Sequence, residues 1–480
     1  MHTKHPRKNQ GGSRTATTND SLAAFVALFA ARFDRAALQR LWKRHQRQRR
    51  RSELAFPELL LALLYHVLMA SGSLQEHVAE LTGLALSGSA LSQRRQRLQP
   101  ALFEQILDLV LTRRADAKRQ PHAFYKGLRL LGVDGTCFAL TNTAQMLRGF
   151  RKAVSRRMKA AFAQLNVVVL VELGLHNPVA AAIGRAGESE WELGRRLLGS
   201  LGARDLLLAD RLYGVQQVVG ELLARAQFLV RVRSNLVVRI VEQLADGSAL
   251  VEIVVKAADG KKQKQTLREV RGVVRGRGGK RTAVRLWTSL LDARKYPAAE
   301  LLALYGQRWE VEITIKELKV EMRERAGDVL AAQTPVTAAQ EVAALLLALA
   351  VLVEVRCEAA VRGEAGVLRI SFRKTLRMVR VLWTMLELGE GIHTARQVGQ
   401  LVARTMERIA GVVTPERRER SCPRAVRKPV GSWSRLVRRG WKGTPRRWHS
   451  MGMRGPGTRR QGRREDLWGW ILGQRGRWCG

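Results

Sequence analysis

Three acidic residues of this 480-residue chain stand where a carboxylate could do chemistry, as a general acid or base or as a ligand of a hard metal ion. Asp134 lies within an apolar segment typical of a strand, where burial makes an unpaired carboxylate unfavourable. Asp210 follows the apolar segment Leu206–Ala209, and a carboxylate after a buried strand commonly faces a site. Glu312 is the third. Each also has a simpler interpretation, because a capped or salt-bridged acid needs no function.

Glu312 lies in a segment whose polar residues repeat with the period of a helix. At about 100° per residue, Tyr305, Arg308, Glu312 and Lys319 fall within an arc of about 60°. A phenol, two cations and an acid would therefore share one face. A solvent-facing salt-bridge stripe explains the pattern equally well, since Arg308 and Glu312 are spaced i,i+4.

The segments around these acids predict a mixed α/β sheet covered on both faces by helices. Apolar, β-branched runs predict strands at Leu128–Leu140, Leu165–Leu173, Val179–Ile183, Leu206–Ala209 and Phe228–Val232. Helices are predicted between them at Ser189–Leu198 and Val215–Arg225. Residues 236–290 predict a β-rich insertion, because Asp-Gly and Gly-Gly pairs separate its apolar runs. After Pro297 the pattern is helical to about residue 412.

The region before residue 120 predicts short helices separated by small-residue turns. Ser71–Ser73, Gly83 and Ser87–Ser89 interrupt the apolar patterns. The last short helix carries three basic residues, Arg94, Arg95 and Arg97. This order is typical of a helix-turn-helix whose final helix enters the major groove of DNA. A helical bundle with solvated arginines is the alternative.

Composition points to a polyanionic partner. Lys and Arg number 84 against 41 for Asp and Glu, and the net charge of +43 favours nucleic acid or an anionic membrane surface over the substrates of an ordinary metabolic enzyme. The four cysteines form no Cys-x-x-Cys pair, so neither a disulfide framework nor a zinc ribbon is expected. The apolar run Val342–Val353 is too short to span a bilayer, and no secretion signal is evident. We expect a soluble, cytoplasmic protein with no membrane partner.

The motifs around the three acids occur together in one known family. The chain carries Tyr-x2-Arg-x3-Glu-x6-Lys from Tyr305 to Lys319, Val133-Asp134-Gly135-Thr136, and Leu208-Ala209-Asp210-Arg211-x-Tyr213. In these motifs, in their order and in the β insertion between the second Asp and the Glu, the chain resembles the cut-and-paste DDE transposases of the insertion-sequence-four group, relatives of the Tn-five transposase. The resemblance covers about residues 20–440.

The resemblance implies an α/β fold with an RNase H-like catalytic core, in which Asp134, Asp210 and Glu312 form a metal-binding triad for Mg²⁺, with Mn²⁺ as a substitute. Physical chemistry supports this, because three carboxylates brought together without a cation repel one another, whereas two metal ions need several carboxylate oxygens. Arg308 and Lys319 would hold phosphates beside the scissile bond, and Tyr305 would position a phosphate or sugar.

The activity implied by the resemblance is that of a DNA transposase. Such an enzyme would bind the terminal inverted repeats of its insertion sequence and nick the transposon end with water. The freed 3′-OH would attack the opposite strand as a hairpin and, after reopening, would attack target DNA. A homodimer in a synaptic complex, associated with the bacterial nucleoid, is expected.

Five regions are expected along the chain. They are a flexible basic arm at 1–20, a helical DNA-binding domain at 21–120, the RNase H-like catalytic domain at 121–375 with its β insertion at about 236–290, a helical C-terminal region at 376–437 and a disordered basic tail at 438–480. The tail departs from the family pattern after Val437. A nucleic-acid-binding arm and frame-shifted translation are two explanations for its Trp- and Arg-rich composition.

Two other features are less specific. The loop after the first strand concentrates basic residues, among them Arg151, Lys152, Arg156 and Arg157. It would track a DNA backbone, unless it is only a solvated basic loop. Relatives stack a tryptophan of the β insertion on a flipped base. Trp287 stands nearer Thr288-Ser289 than that pattern places it, so we expect Trp287 in the core.

Two rival functions remain open. A non-catalytic protein could repress transposition by occupying the transposon ends, but it would have no need of three convergent carboxylates. Another RNase H-like nuclease could act on damaged or hybrid nucleic acid, but the Tyr-Arg-Glu-Lys helix argues against it.

Overall fold

The structure is a computed structural model, and its described residues are 33–45, 54–69, 71–154, 159–185, 187–256, 262–275, 281–323, 329–389 and 392–415. The expected arm at 1–20 and the expected tail at 438–480 lie outside these residues. Arg156 and Arg157 of the basic loop also lie outside them.

Helices occupy both ends of the described chain and the connections between the central strands. They are α1 (Arg35–His45), α2 (Phe56–Leu68), α3 (Leu74–Thr82), α4 (Gly88–Gln96), α5 (Pro100–Val110), α6 (Ala144–Gly149), α7 (Glu190–Leu197), α8 (Gln216–Leu223), α9 (Ala298–Tyr305), α10 (Trp309–Lys316), α11 (Pro335–Arg362), α12 (Phe372–Leu388) and α13 (Ala395–Ala410).

The strands lie between α5 and α9. They are β1 (Phe124–Tyr125), β2 (Leu128–Leu140), β3 (Lys152–Val154), β4 (Lys159–Glu172), β5 (Asn177–Ile183), β6 (Asp205–Ala209), β7 (Gln227–Arg231), β8 (Arg239–Gln243), β9 (Ala249–Lys256), β10 (Lys262–Arg275) and β11 (Arg281–Thr288). The mixed α/β class expected from the sequence is confirmed.

Five strands form the mixed centre of the sheet. Strand β2 pairs antiparallel with β4 and parallel with β6, β4 pairs antiparallel with β5, and β7 continues parallel to β6. The side-by-side order is therefore β5-β4-β2-β6-β7. All five strands predicted from apolar runs are present, and α7 and α8 provide the crossovers that parallel strands require. The RNase H-like core that the resemblance implies stays a prediction.

The β-rich insertion extends the same sheet. Strand β11 pairs antiparallel with β7, and β10, β9 and β8 follow by further antiparallel pairing. Gly247 has a positive φ of 81° in the β8–β9 turn, where the sequence predicted an Asp-Gly hairpin. The insertion thus lengthens the sheet beyond β7.

Both faces of the central strands are buried, and consecutive residues contribute to opposite faces. Leu206 and Leu208 belong to one apolar cluster, whereas Leu207 and Ala209 belong to the other. Helices α7 and α8 cover the second face, and α5, α10 and α11 contribute to the first. The prediction of a sheet covered on both faces is confirmed.

The N-terminal helices share a core with the rest of the described chain. Leu59 on α2, Phe103 on α5 and Leu346 on α11 belong to the same buried cluster. The expected boundary near residue 120 therefore does not separate two cores among the described residues, because α11 packs against helices from both sides of it.

Helix α11 is longer than the apolar run Val342–Val353 suggested. Its length and composition would allow it to cross a membrane, yet 83% of its apolar stretch is buried inside the protein. Every residue from Val342 to Val353 is buried. This burial is typical of a core helix, and α11 is the element on which the N-terminal and C-terminal helices meet.

The short N-terminal helices begin and end where their sequence predicts. Ser73 caps α3 through a reciprocal capping box with Glu76, and Gly83 ends that helix with a φ of 69°. Ser87 caps α4, its hydroxyl oxygen accepting a hydrogen bond from the amide of Ala90 at 3.2 Å.

Candidate active site

Asp134 and Asp210 lie on neighbouring parallel strands at the point where one strand ends. Gly132 on β2 pairs with Leu208 on β6, so the two aspartates, each two residues further, lie side by side. Strand β6 ends at Ala209, whereas β2 continues to Leu140. The carboxyl end of β6 therefore leaves an open edge of β2 that begins at Asp134.

Glu312 is brought to the same edge by α10. A Cβ built on Gly132 would lie 3.3 Å from the Cβ of Val311, so the absence of a side chain at this position lets the helix pack closely on β2. Arg308 then links the two elements. Its Nη2 donates to Glu312 Oε1 at 2.6 Å, and its Nη1 lies 3.7 Å from Asp134 Oδ2. The three predicted acids thus converge.

The surroundings of Asp134 disfavour the charged form of its carboxyl group. Burial raises its pKa to about 6, the charges of Asp210 and Glu312 raise it as well, and the Gly135 amide and Arg308 lower it in part. Ionising Asp134 in the fold therefore costs about 3 kcal/mol more than in the unfolded chain. A half-buried acid beside two like charges indicates a place where a further cation is stabilising.

The segment from Tyr305 to Lys319, predicted as one regular helix, changes its helical geometry twice. Residues Gly306–Arg308 form a 3₁₀ turn between α9 and α10, and Glu317–Glu321 form a π-helical turn after α10. A uniform step of 100° per residue is therefore wrong here. π-helical turns are frequent at functional sites, and this one lies between Glu312 and Lys319.

Tyr305 and Lys319 nevertheless both face the strands that carry the aspartates. The Tyr305 hydroxyl donates to the carbonyl oxygen of Ala209 at 3.2 Å, directly before Asp210, and the ring is buried. Lys319 Nζ donates to the carbonyl oxygen of Cys137 at 2.6 Å on β2. The buried Tyr305 fixes α9 to the end of β6, whereas its contact with DNA stays a prediction.

A fourth carboxylate at this site was not found from the sequence. Glu190 is the first residue of α7, and a Cβ built on Gly135 would lie 2.5 Å from its Cγ and 2.7 Å from its Oε1. Burial raises the pKa of Glu190, and Asp134 and Asp210 raise it further. We call Asp134, Asp210, Glu312 and Glu190 the carboxylate cluster. An acid in the first turn of a helix is usually explained by the helix dipole, so the sequence carried no distinct signal.

A second cluster of charged residues, which the sequence did not predict, contacts α10 and the π-helical turn after it. Buried His176, in the β4–β5 turn, contacts Glu310 Oε2 at 2.8 Å through Nε2 and Glu317 Oε2 at 2.9 Å through Nδ1. Arg356 Nη1 lies 3.5 Å from Glu317 Oε1. We call His176, Glu310, Glu317 and Arg356 the anchor cluster. Burial opposes the charge of His176, but Glu317 and Glu310 outweigh it and raise the pKa of the imidazole.

The donor set of the carboxylate cluster fits a divalent cation. In the part of the chain that the structure describes, no three His, Cys, Asp or Glu side chains are close enough to hold a metal ion as they stand. The fit rests on chemistry: carboxylate oxygens are the preferred ligands of hard divalent ions, and the pKa of Asp134 is raised by burial and, to a smaller extent, by its acidic neighbours. Arg308 already places one positive charge between Asp134 and Glu312.

The structure gives Arg94 and Arg95 a different role from the one the sequence suggested. Arg94 donates to the carbonyl oxygen of Leu54, and Arg95 Nε donates to Gln340 Oε1 at 3.1 Å. Both side chains therefore fix α4 to its neighbours, one on each side. Arg97 is exposed, so of the three it alone keeps the accessibility that groove reading needs.

The basic loop is described only in part. Arg151 is exposed and Lys152 is half-buried, while Arg156 and Arg157 lie outside the described residues. Contact of this loop with DNA stays a prediction. Trp287 is fully buried, and its Nε1 donates to Glu269 Oε2 at 2.9 Å. The prediction that Trp287 belongs to the core is confirmed.

Comparisons with known proteins agree with the geometry. Residues 125–350, which run from β1 to the middle of α11, match the family described as "Transposase DDE domain". Over 354 residues the chain is 28% identical to "Transposase InsG for insertion sequence element IS4" of Escherichia coli (strain K12), which covers 71% of this chain and 76% of that protein.

Among solved structures, the chain is similar to the piggyBac transposase in a synaptic complex with hairpin DNA. That likeness covers 82% of this chain and 86% of the other, at 12% identity and a TM-score of 0.40. The family match and the relative in Escherichia coli carry the assignment. Together they support a DDE transposase of the insertion-sequence-four (IS4) group, an enzyme that acts on DNA by phosphoryl transfer.

Proposed function

We propose that this transposase binds the terminal inverted repeats of its own insertion sequence and moves the element by cut and paste. The observation that carries the proposal is the convergence of Asp134, Asp210 and Glu312 at the open edge of β2, with Arg308 between two of them. A protein that only occupied DNA ends would gain nothing from carboxylates held at such an electrostatic cost.

Asp134, Asp210 and Glu312 hold the divalent metal that DDE transposases use, and we propose Mg²⁺ with Mn²⁺ as its substitute. Bound there, the metal would supply charge stabilisation to the attacked phosphate and to the leaving oxygen. Asp134 must be ionised to bind it, which its raised pKa of about 6 permits at neutral pH. The three side chains come from two strands and one helix, so the sheet fixes the spacing of the first two.

Arg308 and Lys319 hold the phosphates of the cleaved end. Arg308 already bonds Glu312 at 2.6 Å, and Lys319 donates to Cys137, three residues along β2 from Asp134. Both cations therefore border the carboxylate cluster, one on each side of Glu312 in sequence. An arginine fork can bind a phosphate bidentately, whereas a lysine acts as a point charge.

The N-terminal region and the basic loop contribute DNA contacts outside the active site. Arg97 and Arg151 are exposed and Lys152 is half-buried, and the net charge of +43 supplies salt-dependent attraction to the phosphate backbone. Two copies would act together in a synaptic complex, because an element has two ends. Such a protein would work at the nucleoid of a bacterial cytoplasm.

The test uses a labelled duplex that carries the element's terminal repeat next to flanking DNA, with a scrambled repeat as the matched control. We expect Mg²⁺-dependent double-strand release at the boundary of the repeat, followed by joining to a target plasmid. A hairpin at the released end would migrate on a denaturing gel as a strand of twice the length. The scrambled duplex should remain uncut.

Two other outcomes would identify the rival functions. Tight binding to the repeat without cleavage in Mg²⁺ or Mn²⁺ would mean a repressor of transposition. Equal cleavage of the repeat and the scrambled duplex would mean a nuclease without end specificity. Either result would contradict the cut-and-paste proposal.

A further inference from the structure

The position of Glu190 has no explanation in the predicted triad. Glu190 begins α7, which lies on the face of the sheet opposite α10, because Leu193 and Leu197 pack with Val133 and Leu207. Its side chain nevertheless extends to Gly135, the residue after Asp134. From Asp134 onward no strand of the described residues pairs with the β6 side of β2, so a side chain from the α7 face can reach the aspartates around this edge.

Gly135 is shaped to admit this carboxylate. A Cβ at that position would lie 2.5 Å from Glu190 Cγ and 2.7 Å from Oε1, so any larger residue would displace Glu190. The φ of Gly135 is not in the positive region, so backbone conformation does not demand glycine there. The space that the Glu190 side chain needs therefore explains why position 135 is a glycine.

The hydroxyl of Tyr213 is the second feature that the triad leaves unexplained. Tyr213 follows Asp210 by three residues, is 1% exposed, and its hydroxyl has no hydrogen-bond partner among the described residues. A buried hydroxyl without a partner is unfavourable, so Tyr213 carries a donor for a contact that is not formed in this structure.

Tyr213 packs against α7 one helical turn after Glu190. A Cβ built on Gly194, one turn along α7, would lie 2.5 Å from the Tyr213 hydroxyl oxygen. Burial raises the pKa of Tyr213, and the charges of Glu190, Asp134 and Asp210 raise it further, so the hydroxyl lies in the electrostatic field of all three carboxylates. The Tyr213 hydroxyl is therefore an unused hydrogen-bond donor beside α7, near the carboxylate cluster.

We propose that Glu190 is a fourth metal-binding carboxylate of this enzyme, which reaches Asp134 and Asp210 over Gly135 from the opposite face of the sheet. The Tyr213 hydroxyl is its positioning residue and donates to the Glu190 carboxylate when that group turns to the ion. The proposal rests on the divalent-metal site of the proposed function. It assigns to α7 a part in catalysis that the three sequence motifs do not contain.

The test measures Mn²⁺ binding to the full chain without DNA, by titration with detection of free Mn²⁺ in electron paramagnetic resonance. Glu190→Gln keeps the shape of the side chain and removes its charge. We expect Glu190→Gln to weaken Mn²⁺ binding by at least about tenfold. The matched control is Glu192→Gln on the same helix, because glutamine preserves the capping box with Ser189. The control should bind Mn²⁺ like the wild type.

Gly135→Ala offers a second route to the same answer. It leaves every carboxylate in the chain but displaces Glu190, so it should weaken Mn²⁺ binding in the wild type and have no further effect in the Glu190→Gln background. An equal loss in both backgrounds would overturn the role of Gly135 as the passage for Glu190.

Asp210→Asn separates failure of this inference from failure of the proposed function. If Asp210→Asn loses Mn²⁺ binding while Glu190→Gln binds like the wild type, the metal site stands and the fourth ligand is refuted. If both variants bind like the wild type, the proposed metal site itself is refuted. Thermal unfolding without added metal checks the fold, and removing one of several like charges should not lower the unfolding temperature of Glu190→Gln.

Discussion

The two charged clusters that share α10 handle buried charge in opposite ways. In the anchor cluster, Glu310 and Glu317 face His176 and Arg356, so two acids meet two bases. In the carboxylate cluster, the ion pairs of the described residues join four acids only to Arg308, which contacts Asp134 and Glu312, while Lys319 borders the cluster without an ion pair to it. The two clusters lie on either side of one short helix, with Glu310 and Glu312 only two residues apart.

This difference in charge compensation distinguishes a structural cluster from a functional one on the same helix, α10. The anchor cluster satisfies its own charges, which explains why His176 and Glu317 are fully enclosed and why the pKa of Glu317 is lowered by its basic partners despite burial. The carboxylate cluster cannot satisfy its charges alone, as the raised pKa of Asp134 shows. Its incomplete compensation is what a cation-binding site requires, and the anchor cluster supplies the rigid support.

Breaking the anchor cluster should have the largest effect on stability. We expect His176→Asn to destabilise the fold by about 3–5 kcal/mol, because it removes the partner that half-buried Glu310 and buried Glu317 share and leaves Glu317 with the longer contact to Arg356 at 3.5 Å. Asparagine tolerates the positive φ of 59° at this position. DNA cleavage should also fall, since α10 carries Glu312. Denaturant unfolding and cleavage assays measure the two effects.

Lys126→Asn is the matched control for that variant. Lys126 also has a positive φ, at 47°, but it lies on the surface and pairs with Glu300 at 2.7 Å. An exposed ion pair contributes about 0–1 kcal/mol. If His176→Asn destabilised the protein no more than Lys126→Asn, the anchor cluster would have no structural role.

A change of pH should act on both clusters, and in the carboxylate cluster it should change metal binding as well as stability. Asp134 must lose its proton to bind a metal, so Mn²⁺ affinity should fall by about tenfold per pH unit below about pH 6. Because the folded pKa of Asp134 is raised above 3.8, its ionisation also lowers stability as the pH rises from about 4 to about 6. Titrations of Mn²⁺ binding between pH 5 and pH 8 test the first effect, and a flat profile would contradict it.

The anchor cluster should respond at higher pH. The folded pKa of His176 is raised above 6.5, so its contribution to stability is fully present below about pH 6.5 and is lost as the pH rises through the folded value. Denaturant unfolding of the wild type and of His176→Asn at a series of pH values isolates this contribution. The difference between them should shrink as the pH rises, and a difference that grew would refute the assignment.

The smallest of these effects should come from Arg308. Arg308→Lys keeps the charge but loses the fork that spans Asp134 and Glu312. We expect cleavage and joining of a terminal-repeat duplex to slow by about ten- to a hundredfold, which corresponds to about 1.4–2.8 kcal/mol. Arg294→Lys, on an exposed turn, is the control. Wild-type rates for Arg308→Lys would reduce the contact to a structural ion pair.

The sequence predicts the strands of this protein well because strands buried on both faces are continuous apolar runs, which can be recognised from a few neighbouring residues. The apolar run Leu128–Leu140 is the observed β2, and the run Leu206–Ala209 falls within β6, because both faces of these strands are buried. Asp134 could therefore be assigned to a strand, and Asp210 to the end of one, from patterns within a few residues of each.

What the sequence could not supply depends on contacts between distant segments. His176 meets Glu310 and Glu317, which lie 134 and 141 residues further along the chain, and no spacing rule connects them. Glu190 meets Gly135 from the other face of the sheet. The partners of Arg94 and Arg95, which fix α4 to Leu54 and Gln340, are likewise visible only in the folded chain.

The central claim is that the carboxylates at the open edge of β2 hold the metal that cuts the transposon end. The most direct test compares Asp134→Asn, Asp210→Asn and Glu312→Gln with the wild type in cleavage of a labelled terminal-repeat duplex in Mg²⁺ and in Mn²⁺. We expect each variant to retain binding to the duplex, because affinity comes from cationic contacts, and to give no cleavage above background. Cleavage by any of the three at the wild-type rate would remove that residue from the triad and contradict the account.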